Sequence, residues 1–371
     1  GKPLESIEVL NEALQRNPNN ILIKNSLASC YFNLGNLYLK KRVYKKSVMA
    51  YKQALEFNPE DIEVLINLSK SYTALGSYGS VISTYEIVIG LCKGDEKLNY
   101  IISMSRLYIK MDKFNEAIRC LKDQIENNKD NYWVYFNLAK AYQHIGNLKS
   151  SIDNYKISLR LKRNDEDTMF NLGMALMTNK QLKEAENIFR ELILLDPKDK
   201  TYHMNYAMTL LIQGNYKEGL EEYEWRLKGN PKNETLIMVP YGESFTGELK
   251  LNPDRIMVIT EQGLGDTIQY LRYAIQLLEI GWEVNIIAIE KLHSLIKLAD
   301  KRFRVLKPEE TGGKENIPWI ALMSLPRLLK VDPLDKKDFK PYIPIKNNLR
   351  EIWEKELKEE NRPLIGINWQ G

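Results

Sequence analysis

The chain repeats itself. From Ala28 onward the same order of large and small apolar residues returns at Ile62, Leu98, Tyr132, Glu166 and Lys200, a spacing of 34 residues broken once by a spacing of 36. A fixed period of this length dictates the architecture of whatever contains it, because each copy must fold alike and pack on its neighbours. In the first copy the register is Tyr31, Leu34, Gly35, Tyr38, Ser47, Tyr51, Ala54 and Pro59. It recurs as Leu65, Leu68, Ser69, Tyr72, Val81, Tyr85 and Val88, then as Ile101, Met104, Ser105, Tyr108, Ala117 and Leu121. Three further copies follow the same offsets through Tyr135–Ser158, Met169–Pro197 and His203–Pro231.

Each copy reads as two antiparallel helices, with small residues where the helices cross closely and large ones filling the space beside them. Asn58-Pro59 and Asp196-Pro197 end a second helix, since the residue before proline is pushed out of the α region. One such pair cannot bury its apolar face, so neighbouring pairs must stack. The composition agrees with an ordered chain: 44% hydrophobic and 27% charged, with only 14 Pro and 20 Gly in 371 residues. A formal net charge of +4, with lysines and acids alternating throughout, argues against a nucleic-acid binder. No run of residues is apolar enough for a membrane span.

The 34-residue pattern resembles the tetratricopeptide repeat over residues 28–233, six copies, preceded by a partial unit or helical cap in residues 1–27. That resemblance implies a right-handed solenoid whose groove holds an extended peptide or a partner helix. It also implies a role for Asn33, Asn67, Asn137, Asn171 and Asn205, which share the sixth position of their copies and form a candidate peptide-binding ladder. The plainer reading is that asparagine is tolerated on an exposed turn of helix.

After Pro231 the period disappears. Residues 234–254 carry Pro240, Gly242, Gly247 and Pro253 and read as a linker. Strand and helix then alternate: a strand at Arg255–Thr260, a helix at Thr267–Glu279, a strand at Val284–Ile289, a helix from Lys291 to Leu298 and a short strand around Val305. This alternation predicts a parallel α/β sheet. Between the first strand and helix lies Glu261-Gln262-Gly263-Leu264-Gly265-Asp266, where Gly263 and Gly265 permit φ > 0 and close approach of a ligand to the helix N-terminus. Glu290, ending the second strand, mimics an acid that holds an NAD ribose, but Ile268 stands where a dinucleotide turn needs its third glycine. Asp266 reads either as a helix cap bonding the N–H groups of Ile268 or Gln269, or as a proton acceptor beside a cleft.

The run Glu261–Tyr273 resembles the Gly-Leu-Gly-Asp segment of bacterial tetratricopeptide-repeat glycosyltransferases, relatives of the heptosyltransferase-like and O-linked N-acetylglucosamine transferase-like enzymes. Tyr223-Glu224-Trp225-Arg226, Leu322-Met323-Ser324-Leu325-Pro326 and Gly366-Ile367-Asn368-Trp369-Gln370-Gly371 agree in order. The resemblance implies an α-helical TPR solenoid followed by an α/β Rossmann-like domain, the N-terminal half of a GT-B fold. Residues 255–361 would be the acceptor domain and 362–371 the first strand of a nucleotide-sugar domain that is absent, so the chain is expected to be a fragment. It further implies Asp266 as general base, with Gln262, Gly263, Gly265, Thr267 and Ser324 at the substrate. The donor would be a nucleotide-sugar, with a protein or glycan acceptor and no metal or other cofactor. The alternative is a non-enzymatic interaction scaffold with a degenerate α/β domain.

The remaining signals are weak. Cys30, Cys92 and Cys120 are sparse and unpaired in spacing, which suggests reduced thiols and a cytoplasmic setting. His144, His203 and His293 have no metal-ligand spacing. Trp319 and Trp369 read as core or interface residues, and Arg272 as an ion-pair partner.

Overall fold

A computed structural model describes residues 3–228, 236–238, 244–245, 254–261, 263–311, 317–331, 341–344 and 347–356. The chain divides into two compact units, Gly1–Leu192 and Ile193–Gly371.

The first unit is entirely helical among its described residues. After α1 (Pro3–Arg16) come the pairs α2 (Ile21–Lys40) with α3 (Tyr44–Phe57), α4 (Ile62–Ala74) with α5 (Tyr78–Leu91), and α6 (Gly94–Lys110) with α7 (Phe114–Lys122). Two more pairs follow, α8 (Tyr132–His144) with α9 (Leu148–Leu161), and α10 (Glu166–Thr178) with α11 (Leu182–Leu195), whose last turn passes the division. The repeat register is the burial register. Ser47, Val81, Ala117, Ser151 and Ala185, one position in five copies, are all fully enclosed at 0% exposure, which leaves no room there for a longer side chain. A Cβ on Gly35 would fall on the Tyr51 ring, and one on Gly173 would lie 2.7 Å from Phe189 Cζ. Glycine therefore lets a fully buried aromatic of the second helix lie against the backbone of the first.

Helix ends are set by recurrent local chemistry. Asp61, Asn131 and Asp165 cap α4, α8 and α10, each accepting a hydrogen bond from a first-turn N–H. The turn inside each pair holds one residue in the left-handed region: Arg42, Gly76, Asp112, Gly146 and Lys180. The 36-residue spacing is absorbed before Leu98, where Gly94 (φ 56°) opens α6, a helix of 17 residues against 13 in α4, α8 and α10.

The second unit starts with the last helical pair, α12 (Lys200–Ile212) and α13 (Tyr216–Tyr223), whose chain runs on into one 3-10 turn, Glu224–Leu227. The sheet follows: β1 (Arg255–Ile259), α14 (Leu264–Glu279), β2 (Glu283–Ile287), α15 (Glu290–Ala299), β3 (Arg304–Leu306) and β4 (Trp319–Ala321). After a 3-10 turn at Leu322–Ser324 come α16 (Leu325–Leu328) and α17 (Asn347–Glu356). The four strands are parallel in the order β3-β2-β1-β4, with Val258 opposite both Ile286 and Ile320. Both faces are covered, as a parallel sheet requires. Ile256, Val258, Ile286, Val305 and Ile320 pack with Leu271, Ala274 and Leu277 of α14 and with Leu292 and Ile296 of α15. Met257, Ile259, Ile287 and Ala321 pack on Leu236 and Ile317. Leu236 and its neighbours Ile237 and Met238 thus belong to the core, although their region reads as a linker in sequence.

The strand and helix expectations hold to within a few residues, with one shift that matters. The helix expected at Thr267 begins at Leu264. The expected first strand at 362–371 and residues 357–361 lie outside the described residues.

Candidate functional site

In an open parallel sheet, ligands are received at the carboxyl ends of the strands where the chain order reverses. Here that place is the junction of β1 and β4, since β2 and β3 lie on one side of β1 and β4 on the other. Glu261 and the Gly263–Asp266 turn leave β1 there, and Leu322–Ser324 leaves β4.

Asp266 is exposed, on the first turn of α14 and not at its cap. The capping residue is Gly263, in extended backbone at φ −76° and ψ 118°, and no side chain caps the helix. The expected bond from Asp266 to the N–H of Ile268 or Gln269 is therefore replaced by a different arrangement. From the third helical position the carboxylate folds back over Gly263, and a Cβ on Gly263 would fall on it. A side chain at position 263 would therefore have to displace the exposed Asp266 carboxylate, and neither Gly263 nor Gly265 lies in the left-handed region. A Cβ on Gly265 would meet open space. The Asp266 charge acts on two half-buried phenols, Tyr270 and Tyr223. Burial first, and then the Asp266 charge, pushes the Tyr270 hydroxyl upward; burial also raises Tyr223, with smaller contributions from Glu261, Tyr270 and Asp266 against an opposing one from Arg226.

Thr267 and Ser324, expected at the substrate, are turned inward. Thr267 is buried and its hydroxyl donates to the Gly263 carbonyl at 2.9 Å, tying the first turn of the helix to its cap. Ser324 is 1% exposed and donates to Glu224 Oε1 at 2.8 Å while accepting from Arg226 Nη2 at 2.8 Å. Gln262 lies outside the described residues.

Ser324 leads to the residues that sequence reasoning missed. Arg226 is 3% exposed and binds Glu261 through two parallel bonds, Nε to Oε2 at 3.0 Å and Nη2 to Oε1 at 2.9 Å. Its Nη1 donates to Glu224 Oε1 at 2.8 Å and to the Tyr223 carbonyl at 3.1 Å. Arg327 completes the cluster at 3.7 Å from Glu224. Burial alone would lower the Arg226 pKa, but the Glu261 and Glu224 contacts outweigh it and hold the guanidinium well above its ordinary value. Arg327 also meets Glu221 at 3.5 Å, and the part of the cluster closed to solvent is the Arg226–Glu261 pair, in which each charge balances the other as ions in a dry interior must. The three sequence segments Tyr223–Arg226, Glu261–Asp266 and Leu322–Pro326 thereby meet at one point. Their shared motif chemistry is in part architectural: Arg226 is consumed by carboxylates and is not an anion receptor.

Elsewhere the expected residues find ordinary partners. Glu290 pairs with Lys307 at 2.9 Å. Arg272 donates to the Gln269 carbonyl at 3.0 Å and its guanidinium lies 5.0 Å over the Tyr342 ring. Trp319 is half-buried on β4, and Trp369 lies outside the described residues. All three cysteines are free thiols. Among the described residues no group of His, Cys, Asp or Glu is arranged to hold a metal ion, and no helix is long and apolar enough to cross a membrane.

The asparagine ladder is not uniform. In the first unit Asn33 is exposed, while Asn67 Nδ2 donates to Asn36 Oδ1 of α2 at 3.2 Å. Asn137 is 1% exposed, donates to the Trp133 carbonyl at 2.7 Å and accepts from Arg106 Nε of α6 at 3.2 Å. It is thus covered by Arg106 and Trp133, whose guanidinium and ring lie 4.6 Å apart. Asn171 is half-buried and bonds the carbonyl of Asp167. In the second unit Asn205 does the same to Thr201.

A family model described as tetratricopeptide repeat matches residues 28–61, 98–131, 134–165 and 166–199. Intraflagellar transport protein 88 homolog of Homo sapiens is 30% identical over 93 residues, covering 23% of this chain and 11% of that protein, so the match spans a small part of the relative's length. Among solved structures, the C-terminal part of a TPR repeat-containing protein from Cytophaga hutchinsonii superposes at a TM-score of 0.45 and 15% identity, over 52% of this chain and 77% of that one. MamA from Desulfovibrio magneticus RS-1 superposes at 0.40 and 17% identity, over 46% and 95%. The matched segments and the periodic burial of the first unit show tetratricopeptide repeats in residues 28–61, 98–131, 134–165 and 166–199, and a small parallel sheet lies toward the C-terminal end.

Proposed function

We propose that the helical repeats dock a protein or peptide partner, so that the chain acts first as an interaction scaffold. The observation that carries this reading is the polar face made by the first helices of the pairs in the first unit. There, Asn36–Asn67 and Arg106–Asn137 bond from one first helix to the next, while the apolar side chains of the same helices are spent on the core. Such a face, ordered but not apolar, suits an extended chain bound through backbone and side-chain hydrogen bonds. The test is selection from a displayed peptide library on the immobilised chain, repeated with Asn33, Asn67 and Asn171 changed to Ala. Failure to enrich any sequence, or enrichment indifferent to those changes, would sink the reading.

A second reading is kept because one observation favours it. Asp266 is an exposed carboxylate at the carboxyl end of β1, beside a glycine with open space over it. This is where an attacking hydroxyl would lose its proton in transfer of a sugar from a nucleotide-sugar to a protein or glycan acceptor. Gln262, Gly263 and Gly265 remain its candidate substrate contacts; Thr267 holds the turn through the Gly263 carbonyl, and Ser324 is bound to Glu224 and Arg226. The test is donor hydrolysis and transfer by the full-length gene product with a panel of nucleotide-sugars, wild type against Asp266→Asn. Equal turnover by both would end Asp266's role as a base.

A further inference from the structure

His203 stands at the fourth position of its copy, where the other five carry Tyr31, Leu65, Ile101, Tyr135 and Met169. It is 6% exposed, and three segments of the second unit close on its ring. Nδ1 lies 2.5 Å from Glu222 Oε2 on α13, and Nε2 lies 3.1 Å from the Pro197 carbonyl oxygen, just ahead of α12. Trp225, in the Glu224–Leu227 turn, stacks on the ring with 3.7 Å between centroids and 9° between planes. A carbonyl oxygen only accepts, so Nε2 carries a proton. An ionised carboxylate also only accepts, so the bond to Glu222 holds a second proton. A neutral imidazole has one proton for two nitrogens and would turn a lone pair toward one of these oxygens. The other charged groups of the surrounding elements have partners of their own or face solvent. Asp196 and Asp199 accept from backbone N–H groups, Lys200 donates to the Arg226 carbonyl, and Glu218 accepts from Tyr206. Arg226 pairs with Glu261, Glu221 and Glu224 meet Arg327, and Lys198 and Lys217 are exposed. Lys228 bears on the stack, its Nζ 3.8 Å from the centre of the Trp225 ring, and opposes the second proton that Glu222 favours.

We propose that His203, Glu222 and Trp225 form a proton-operated latch, which holds the Glu224–Leu227 turn on α12 while ring and carboxylate share two protons and loosens it when one is lost. The same turn carries Arg226 to Glu261 and Glu224 to Ser324, so the latch sets how firmly the last helical pair is tied to the sheet within the second unit. Proton counts fix the direction. In the opened turn an unconstrained glutamate gains a proton below about pH 4.3, and an unconstrained histidine loses one above about pH 6.5. Between these values the open and closed forms hold the same two protons, and closure is strongest. Above them the closed form holds one proton more, so closure weakens as pH rises, by up to about tenfold per pH unit. Below them the open form holds one more, and closure weakens as pH falls.

The test is nuclear magnetic resonance on the whole chain between pH 5 and 8.5. Side-chain nitrogen shifts distinguish a ring protonated at both nitrogens from one protonated at a single nitrogen, and His203→Phe identifies the signals of this residue among the three histidines. Both nitrogens of His203 are expected to carry protons at pH 7. The Lys228 N–H, which donates to the Trp225 carbonyl at 3.0 Å, reports the turn. Its protection from hydrogen exchange, corrected for the intrinsic rate, is expected to fall by up to about tenfold per pH unit above neutrality. Glu222→Gln should remove that response, since the amide donates to Nδ1 of a neutral ring whose Nε2 still serves Pro197. His203→Phe keeps a ring on Trp225 and should remove it too, which decides the matter if a thermal melt shows Glu222→Gln unfolded. A singly protonated His203 at pH 7, protection in the wild type that is flat with pH, or a response that persists in either folded variant overturns the latch.

Discussion

Arg226 and Glu261, 35 residues apart in sequence, face each other through two parallel hydrogen bonds in a place almost closed to solvent. One ends the last helical pair of the second unit and the other ends β1, so the pair joins helical and sheet architecture within that unit.

Removing one partner of such a pair strands a buried charge, which costs about 3–5 kcal/mol, whereas replacing both by apolar residues often costs little. Arg226→Met is therefore expected to lose about that much, and Arg226→Met/Glu261→Met to recover most of it. Urea unfolding followed by tryptophan fluorescence suits the second unit, which holds five of the six tryptophans, Trp133 being the exception. Equal losses in single and double variants would show that the pair is not the unit of stability.

The repeats were legible because burial there follows a period: one enclosed small residue per copy, faced by a fully buried Tyr51, Tyr155 or Phe189 in three of them, leaves a mark every 34 residues. The strands were legible because a sheet buried on both faces needs continuous apolar runs such as Ile256-Met257-Val258-Ile259. The site was less so. Ser324 contacts Arg226 from 98 positions away, a relation that no local spacing encodes, so nothing in the sequence counts against the substrate role that the resemblance implies for it. Asn137 shares its position with Asn171, yet only Asn137 has a tryptophan and an arginine to cover it. The start of α14 was misplaced because Gly263 caps it through backbone conformation alone, with no side chain to announce the cap. Glycine at the fifteenth position in three of six copies marks a left-handed turn that the other three make with Arg42, Asp112 and Lys180.

That turn yields a prediction about strain. A non-glycine residue in the left-handed region costs about 1–2 kcal/mol, and glycine gives back about 0.5–1 kcal/mol through the entropy of the unfolded chain. Lys180→Gly (φ 61° in the wild type) should thus stabilise the repeats by about 0.5–1 kcal/mol, and Gly146→Lys (φ 75°) should destabilise them comparably. The measurement is the midpoint of helix loss by circular dichroism. Destabilisation by Lys180→Gly would mean that the lysine side chain supports the turn.

The glycine of the crossing behaves in the opposite way. Gly173 sits inside α10, where alanine would be the better helix former by about 1 kcal/mol. Its Cβ would press on the fully buried Phe189 ring, and overpacking costs about 1–3 kcal/mol. Gly173→Ala is expected to be neutral to destabilising by about 2 kcal/mol, and Gly173→Ala/Phe189→Leu to be less harmful than the sum of the two single changes. Strict additivity in that double-mutant cycle would show that the ring is free to move aside.

For Asp266 stability and chemistry separate. An exposed carboxylate on the first turn of a helix contributes about 0.3–1 kcal/mol through the helix dipole. Asp266→Asn should cost no more than that, while lowering any sugar transfer by the full-length protein about 10²–10⁴-fold if the carboxylate is the base. A large loss of stability with normal turnover would make Asp266 a structural residue.

Asp165 gives the pH dependence. Burial acts to raise its pKa, but the bonds from Lys162, at 2.6 Å, and from the Thr168 hydroxyl and N–H outweigh that and leave it below the ordinary carboxylate range. A group depressed in the folded state contributes stability that is fully present above its unfolded pKa, about 3.9, and is lost as pH falls through the folded value. Replacing a helix cap of this kind by alanine costs about 1 kcal/mol. The difference in unfolding free energy between wild type and Asp165→Ala should therefore be about 1 kcal/mol at pH 7, constant down to about pH 5, and should shrink below about pH 4 as the wild-type carboxyl takes up its proton. Urea titrations of both proteins at pH 7, 5 and 3 decide it. A difference that stays the same at pH 3 would show that Asp165 holds the start of α10 by its shape and neutral hydrogen bonding, and that the charge facing Lys162 adds nothing.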